Sequence, residues 1–454
     1  MSRCRAFTLR VIFVKNNYKT SLFMNKTAGA VLLWLAAACT HSPQPPPPTP
    51  HMEPIRAPRT DMPDVWPTLL GIADMDVSDP AMLRDVLATD GQPDASLLSM
   101  VPTSATALTA VRMLDLPNAN VVVGPFADVS TPTPALRPLT NLSQQWLVAG
   151  WRQALDGKPD EAATQMLSVW QLSRLLIEGD SSLLVTALGI NLERQALQEL
   201  HELLRDNPTI QPETLAQIAT ALAQRHDVDL SRATATEWGV MARTIQTSQP
   251  DTLESLYIDR GRAPWKFACQ YVRWVPNAYQ PDQTLDWLWE DRHQMDAYVQ
   301  APRWERTDFV HVNRFHWSPY GPFQRSHFDE LRKNPLGRAI LQLLNPTGVM
   351  VQVVDQADQL QAKRVIFETW VAAQRHMHAT GQVPTGDDLA PQWLAEIPTD
   401  PFDGQPVRIT EAAVYSAGAD AEEWQQAVLR DEDGRRTAAT QPLPGLRLPL
   451  SPPP

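Results

Sequence analysis

The strongest constraint on the fold is a repeated spacing of apolar residues that matches the α-helix. The positions i, i+3, i+4 and i+7 are filled by Ala163, Met166, Leu167 and Trp170, and again by Leu215, Ile218, Ala219 and Leu222. At about 3.6 residues per turn, this spacing puts the apolar side chains on one face of a helix. Such a face must be buried, so the pattern predicts helices that pack against one another.

Prolines, glycines and turn dipeptides separate the predicted helices. Asp156-Gly157-Lys158-Pro159 lies between two of them, Gly179-Asp180-Ser181 follows the second, and Pro212 stands where another begins. Proline is favoured at the first position of a helix, and short links between helices favour antiparallel neighbours. The links are unevenly spaced, which argues against a regular tetratricopeptide array.

The region near the C-terminus combines a long helix with a short hairpin. The apolar spacing predicts a helix over residues 348–380, and Gly381 is suited to end it. Turn-forming Asp-Pro and Asp-Gly pairs follow at 400–404, and residues 407–409 and 413–415 predict two short strands. The expected fold class is therefore mainly α: an irregular antiparallel helical bundle with a small α+β C-terminal module.

This prediction divides the chain into five segments. The apolar run at 28–35, followed by Ala36-Ala37-Ala38-Cys39, resembles a lipoprotein export signal, which implies an export signal at residues 1–38 and a lipid-anchored, proline-rich tether at 39–68. A mainly helical domain follows at 69–333, then the C-terminal α+β module at 334–435, and a disordered proline-rich tail at 436–454. Proline-rich sequence favours extended polyproline II, so the tether is expected to hold the folded body away from the membrane.

Residues 24–39 resemble the export signal of bacterial lipoproteins. Asn25 and Lys26 precede an apolar run of roughly 11 residues, which is too short for a membrane span of about 20. Ala36-Ala37-Ala38 then leads to Cys39, and in that family a peptidase cuts before a cysteine that becomes lipidated. Ala stands at residue 36 where Leu is commoner, so a plain signal peptide is the alternative. Residues 1–23 precede a second methionine, which is an alternative start.

The resemblance and the charge balance together predict where the protein acts. Thr40, rather than Asp, follows Cys39, and in lipoproteins of double-membraned bacteria this favours the outer membrane, facing the periplasm or the cell surface. The chain carries a formal net charge of −12 at pH 7, and residues 1–38 contain no Asp or Glu. An acidic surface repels nucleic acid and anionic headgroups, so an envelope protein or glycan is the expected partner.

Residues 238–328 hold seven of the 15 tryptophans, which predicts either an aromatic core or a binding groove. In a groove for a peptide or glycan the ligand would stack on Trp287, Trp289, Trp304 and Trp317. An envelope hydrolase acting on peptidoglycan or polysaccharide would also need paired carboxylates, for which this region offers Asp286, Glu290, Asp291 and Asp296. The leading expectation is a non-catalytic binding, accessory or scaffold role, and the hydrolase is the alternative.

Three short motifs give the C-terminal module a likeness to known sequences. They are Asn334-Pro335-Leu336-Gly337-Arg338, Asp400-Pro401-Phe402-Asp403-Gly404-Gln405-Pro406 and Tyr415-Ser416-Ala417-Gly418-Ala419-Asp420. They resemble a module of uncharacterised exported bacterial proteins and, more distantly, the C-terminal part of the major pseudopilin of type II secretion. A comparable pseudopilin loop can hold calcium, which makes Asp400, Asp403 and Asp420 candidate ligands. The leading expectation is that no cofactor is bound.

Overall fold

The structure is a computed structural model, and the residues it describes fall into two compact units. They are 63–73, 80–88, 92–101, 136–179, 182–224, 228–247, 279–306, 346–417 and 447–450, with single positions at Thr109, Leu114, Val121, Asn334, Gly337 and Leu341. Residues 279–284, Asn334 and Gly337 belong to the first unit, and every other described residue belongs to the second.

The fold is mainly α, as predicted, with helices making up 72% of the described residues. The eleven helices of this part of the chain are α1 (Trp66–Ala73), α2 (Pro80–Leu87), α3 (Ala95–Met100), α4 (Arg137–Leu155), α5 (Pro159–Glu178), α6 (Leu183–Asp206), α7 (Pro212–Ala223), α8 (Ser231–Thr247), α9 (Pro281–Gln300), α10 (Pro346–Thr380) and α11 (Gly386–Leu389). None of them combines the length and hydropathy that a membrane crossing requires.

Helices α4, α5 and α6 form the centre of the core. The predicted apolar face of α5 is buried at Ala163, Met166 and Trp170. Glycines allow the helices to approach closely: a Cβ on Gly189 would lie 2.8 Å from Ile177 Cγ1, and one on Gly150 would lie 3.1 Å from Met166. Interiors have little room for added atoms, so these positions need glycine for the helices to lie so close.

The long helix α10 packs against α6 and α7, and it also contacts the small C-terminal sheet. Its end is as predicted, because Gly381 follows with a φ of 73° and its N–H donates to the Met377 carbonyl over 2.8 Å. A positive φ costs glycine nothing and costs other residues strain.

The small sheet contains the predicted hairpin and one further strand. Strands β1 (Arg408–Ile409) and β2 (Ala413–Tyr415) pair antiparallel, with Ile409 opposite Val414. Strand β3 (Arg447–Pro449) pairs with the other edge of β2, which gives the order β1-β2-β3. The predicted disordered tail at 436–454 is therefore wrong for Arg447–Pro449, because pairing with β2 and burial of Leu448 order this segment.

The folded body also begins slightly earlier than predicted. Helix α1 starts at Trp66, inside the predicted tether at 39–68, and the Asp64 carboxylate accepts the Trp66 N–H over 3.0 Å. The Trp66 side chain is buried, and helix α1 packs against α4, so this segment belongs to the folded body. The predicted export signal and Cys39 lie outside the described residues.

Candidate functional site

The C-terminal turn is organised by the buried carboxylate of Asp400. Its Oδ1 accepts the Phe402 N–H and the Ser416 hydroxyl, both over 3.0 Å, and its Oδ2 accepts the Ala417 N–H over 2.7 Å. The Arg408 guanidinium lies 3.4 Å from Oδ2. Burial raises the pKa of Asp400, and the N–H and hydroxyl donors oppose this increase. Asp400 therefore joins the turn to the end of β2.

Asp403 acts on the same turn from its outer side. Its carboxylate accepts the Gln405 N–H over 3.0 Å and forms an ion pair with Arg408 over 2.6 Å. Gly404, between Asp403 and Gln405 in the sequence, has a φ of 70°. Asp420, the third predicted calcium ligand, lies outside the described residues. Within the described part of the chain no group of three or more His, Cys, Asp or Glu side chains is placed to hold a metal ion. The hydrogen bonds of Asp400 and Asp403 are those of turn-capping residues, and calcium stays a prediction from the resemblance.

Trp304 is the predicted ligand-binding tryptophan that reaches the surface beside this turn. Its side chain is 45% exposed, and its ring lies against Gly404 so closely that a Cβ there would be 3.0 Å from Trp304 Cδ2. A large ring that is this exposed in a folded protein is unusual, since Trp is mostly buried. We call the Trp304 indole and the turn 400–405 the Trp304 surface.

An ionic cluster fixes the backbone that carries Trp304. Trp304 lies in a 3₁₀ turn, Arg303–Glu305, and the guanidinium groups of Arg303 and Arg306 both contact the Asp358 carboxylate on α10. Arg306 also donates to the Ala301 carbonyl over 2.8 Å. Burial raises the pKa of Asp358 to about 6, and the two arginines oppose the increase. The tryptophan is therefore exposed but held in place.

The other predicted tryptophans do not share a face with one another. Trp287 and Trp289 are half-buried on α9, and two residues along a helix correspond to about 200° of rotation, so their side chains leave the helix in nearly opposite directions. The Trp289 ring lies under the Arg292 guanidinium at 4.9 Å. Trp317 lies outside the described residues. A groove lined by Trp287 and Trp289 together is thus not formed on one side of α9.

The carboxylates predicted for a hydrolase also lie on α9. They are Asp286, Glu290, Asp291 and Asp296. Asp296 forms an ion pair with Arg292 over 3.2 Å, and Glu290 is exposed at the surface. Asp286, Asp291 and Asp296 are half-buried, and of the four carboxylates only Asp286 and Glu290, four residues apart, lie on the same side of α9.

Asn334 and Gly337, the two described residues of the predicted motif at 334–338, have a structural role in the first unit. The buried Asn334 side chain accepts the Gln280 N–H and donates to the Gln280 carbonyl, each over 2.8 Å, and donates to Thr284 Oγ1 over 2.7 Å. Its Oδ1 also accepts the Gly337 N–H over 3.1 Å. A Cβ on Gly337 would lie 2.6 Å from Asn334 Oδ1, which explains the glycine. These hydrogen bonds join Asn334 to the start of α9.

A buried ion pair between α6 and α10 was not predicted from the sequence. Glu193 and Arg364 have no solvent exposure, and Arg364 donates to both carboxylate oxygens of Glu193, with an Nη2–Oε2 distance of 2.5 Å. Trp170 donates its indole N–H to Glu193 over 3.0 Å. The sequence does indicate that Glu193 is buried, because it lies in the apolar register of α6, three residues after Ile190 and four before Leu197.

Further ionisable groups are buried along the same helices. Glu199 accepts the Trp151 indole N–H over 2.7 Å, and burial raises its pKa to about 8. Burial lowers the pKa of His201 to about 4 and that of Lys363 to about 8. The His201 ring meets the edge of Trp370 at 4.8 Å. Glu199 and His201 lie inside the helical core, and Lys363 is half-buried beside it, so we assign these groups a structural role.

No protein-family model, curated protein or solved structure matches the chain. A function for this chain therefore rests on its own residues and their geometry. The Trp304 surface is the candidate functional site, because it combines an exposed aromatic ring with a rigid support.

Proposed function

We propose that the protein is a cell-envelope lipoprotein with a non-catalytic binding role, as an accessory or scaffold component. Lipidated Cys39 would anchor it in the outer membrane, and the proline-rich tether at 39–68 would carry the folded body to its partner. The lipoprotein-like residues 24–39 and the Thr40 that follows Cys39 support this location. The partner class is an envelope protein or a glycan, without nucleic acid.

The observation that carries the binding role is the exposed and rigidly held Trp304 ring. Tryptophans that anchor interfaces contribute a large apolar area, and a ring that is already ordered loses little entropy on binding. Trp304 meets both conditions, since it is 45% exposed and its neighbours Arg303 and Arg306 bind Asp358. A binding role uses this surface without any reacting group.

Site-specific photo-crosslinking in intact cells tests the proposal. The photoreactive aromatic amino acid p-benzoylphenylalanine replaces Trp304 in one version, so that an aromatic ring stays at the site. It replaces Leu184 in the control, because Leu184 is also exposed, at 51%, and lies at the start of α6. Crosslinked products are purified under denaturing conditions and identified by mass spectrometry. We expect a discrete product, protein or glycan, from position 304 and none from position 184.

Two outcomes would contradict the proposal. Equal products from both positions would mean that the Trp304 surface has no partner of its own, and no product from position 304 would move attention to the hydrolase alternative. A Cys39→Ser version tests the location separately, because it should leave the membrane fraction while the purified body keeps its binding.

A further inference from the structure

The third strand of the sheet is a short peptide that the chain adds to its own hairpin. Arg447, Leu448 and Pro449 pair with Tyr415, Val414 and Ala413, and the Leu450 N–H donates to the Ala412 carbonyl over 2.9 Å. Residues 418–446 separate this segment from the end of the described hairpin region. Sheet pairing by an extended segment joined through a long stretch of chain is the geometry of β-strand addition.

The contacts of the segment alternate in the manner of a recognised peptide. Leu448 and Leu450 are buried, at 8% and 5% exposure, whereas Arg447 and Pro449 point outward. Strand geometry gives this alternation, and the buried positions decide which sequences fit. Pro449 has no N–H to donate, but an edge strand tolerates proline.

Two side-chain contacts add to the backbone pairing of the segment. The Trp370 indole of α10 donates its N–H to the Pro449 carbonyl over 2.8 Å. The Arg447 guanidinium lies 5.3 Å above the Tyr415 ring, within cation–π distance. We call Trp370 and the edge of β2, residues 412–415, the strand-addition site.

From these contacts we infer that the strand-addition site binds an extended segment of a partner protein with two apolar side chains on either side of a proline. The chain's own residues Arg447–Leu450 occupy it in the absence of that partner. The occupant defines the chemistry: an arginine, two alternating leucines and a carbonyl for Trp370. This inference rests on the proposed binding role and names the class of partner.

The segment is suited to be exchanged. It gains two buried leucines and a few hydrogen bonds, and it loses the conformational freedom of four residues, which are opposing contributions of similar size. The segment belongs to the same chain as the site, so it can rebind without a separate encounter in solution. A partner segment with matching contacts can therefore replace it.

A peptide-binding experiment on the full chain tests the inference. The probe is a fluorescein-labelled peptide with the sequence of residues 445–451, and the readout is fluorescence anisotropy. The double substitution Leu448→Asp and Leu450→Asp should release the chain's own segment and so free the site. The matched control is Leu97→Asp with Leu184→Asp, because these two leucines are already exposed. Circular dichroism checks that every version is folded.

We expect saturable binding to the version with the freed site. For a peptide Kd of about 100 µM, binding to the native chain and to the control should be about tenfold weaker, because the tethered segment competes. A peptide with Asp in place of both leucines should not bind. Trp370→Phe in the freed version should weaken binding about fivefold, because one hydrogen bond is lost.

The opposite results are equally clear. A folded version with the freed site that does not bind the peptide, or that binds it no better than the native chain does, overturns the strand-addition site. Light scattering gives the mass of the native chain, and a dimer that the freed version does not form would assign the site to a second copy instead. None of these results depends on crosslinking at Trp304, so the proposed function and this inference can fail separately.

Discussion

Replacing Glu199 with Gln should make the protein more stable, by an amount that grows as the pH rises. The carboxyl is 3% exposed, and its pKa rises to about 8 from the ordinary 4.5, chiefly by burial, against the opposing hydrogen bond from Trp151. Between these two values the folded protein keeps a proton that the unfolded chain releases. Folding stability therefore falls with rising pH, by about 1.4 kcal/mol per unit and about 5 kcal/mol over the interval.

The amide that the Glu199→Gln substitution introduces is neutral at every pH and can still accept the Trp151 N–H. We expect the substituted protein to match the native protein near pH 4.5 and to exceed it by about 3 kcal/mol at pH 7 and about 4 to 5 kcal/mol at pH 8. His201 acts in the opposite direction, since its lowered pKa makes stability fall as the pH drops from 6.5 towards 4. His201 is the same in both proteins, so the difference between them isolates Glu199.

Urea unfolding followed by far-UV circular dichroism at pH 5, 6, 7 and 8 measures this difference. Glu411→Gln is the control, because Glu411 is exposed in the turn between β1 and β2 and its replacement should change little at any pH. A Glu199→Gln difference that stays constant from pH 5 to 8, or that shrinks as the pH rises, would refute the proton argument.

Two further predictions concern buried carboxylates with different partners. Asp400→Asn should lower the free energy of unfolding by about 2 to 3 kcal/mol, because an amide cannot accept all the hydrogen bonds that the Asp400 carboxylate accepts. Asp403→Asn should lower it by about 1 kcal/mol or less, because Asp403 lies on the partly exposed side of the turn. Arg364→Ala should cost about 3 to 5 kcal/mol because Glu193 stays buried without its partner, and Arg364→Met combined with Glu193→Leu should recover most of the loss. Urea unfolding measures both, and equal effects within either pair would contradict the reasoning.

The predictable part of the fold is the part that local sequence determines. The apolar register of α5 and α7, the prolines at their starts and the Gly381 end of α10 depend only on neighbouring residues, and the structure confirms them. The turn at 400–404 that precedes the hairpin was predictable for the same reason, because Asp-Pro and Asp-Gly form turns through their own backbone preferences.

The remaining features depend on residues that are distant in sequence. Glu193 meets Arg364 across 171 positions, and no local pattern specifies which basic residue fills that role. The proline-rich sequence around strand β3 predicts a disordered tail. The strand is ordered because it pairs with β2 and accepts a hydrogen bond from Trp370. Trp304 could be named as a candidate from its residue type, but its place beside Gly404 depends on the packed fold.

The Glu193–Arg364 pair also bears on how the protein responds to the salinity of its surroundings. Dissolved ions weaken exposed pairs such as Lys158–Glu161, but they cannot approach two charges that are sealed between α6 and α10. The ion pair between these two helices should therefore contribute about equally to stability in dilute and in concentrated salt. For a protein proposed to work in the envelope, the contact between α6 and α10 should therefore change little when the ionic strength of the medium changes.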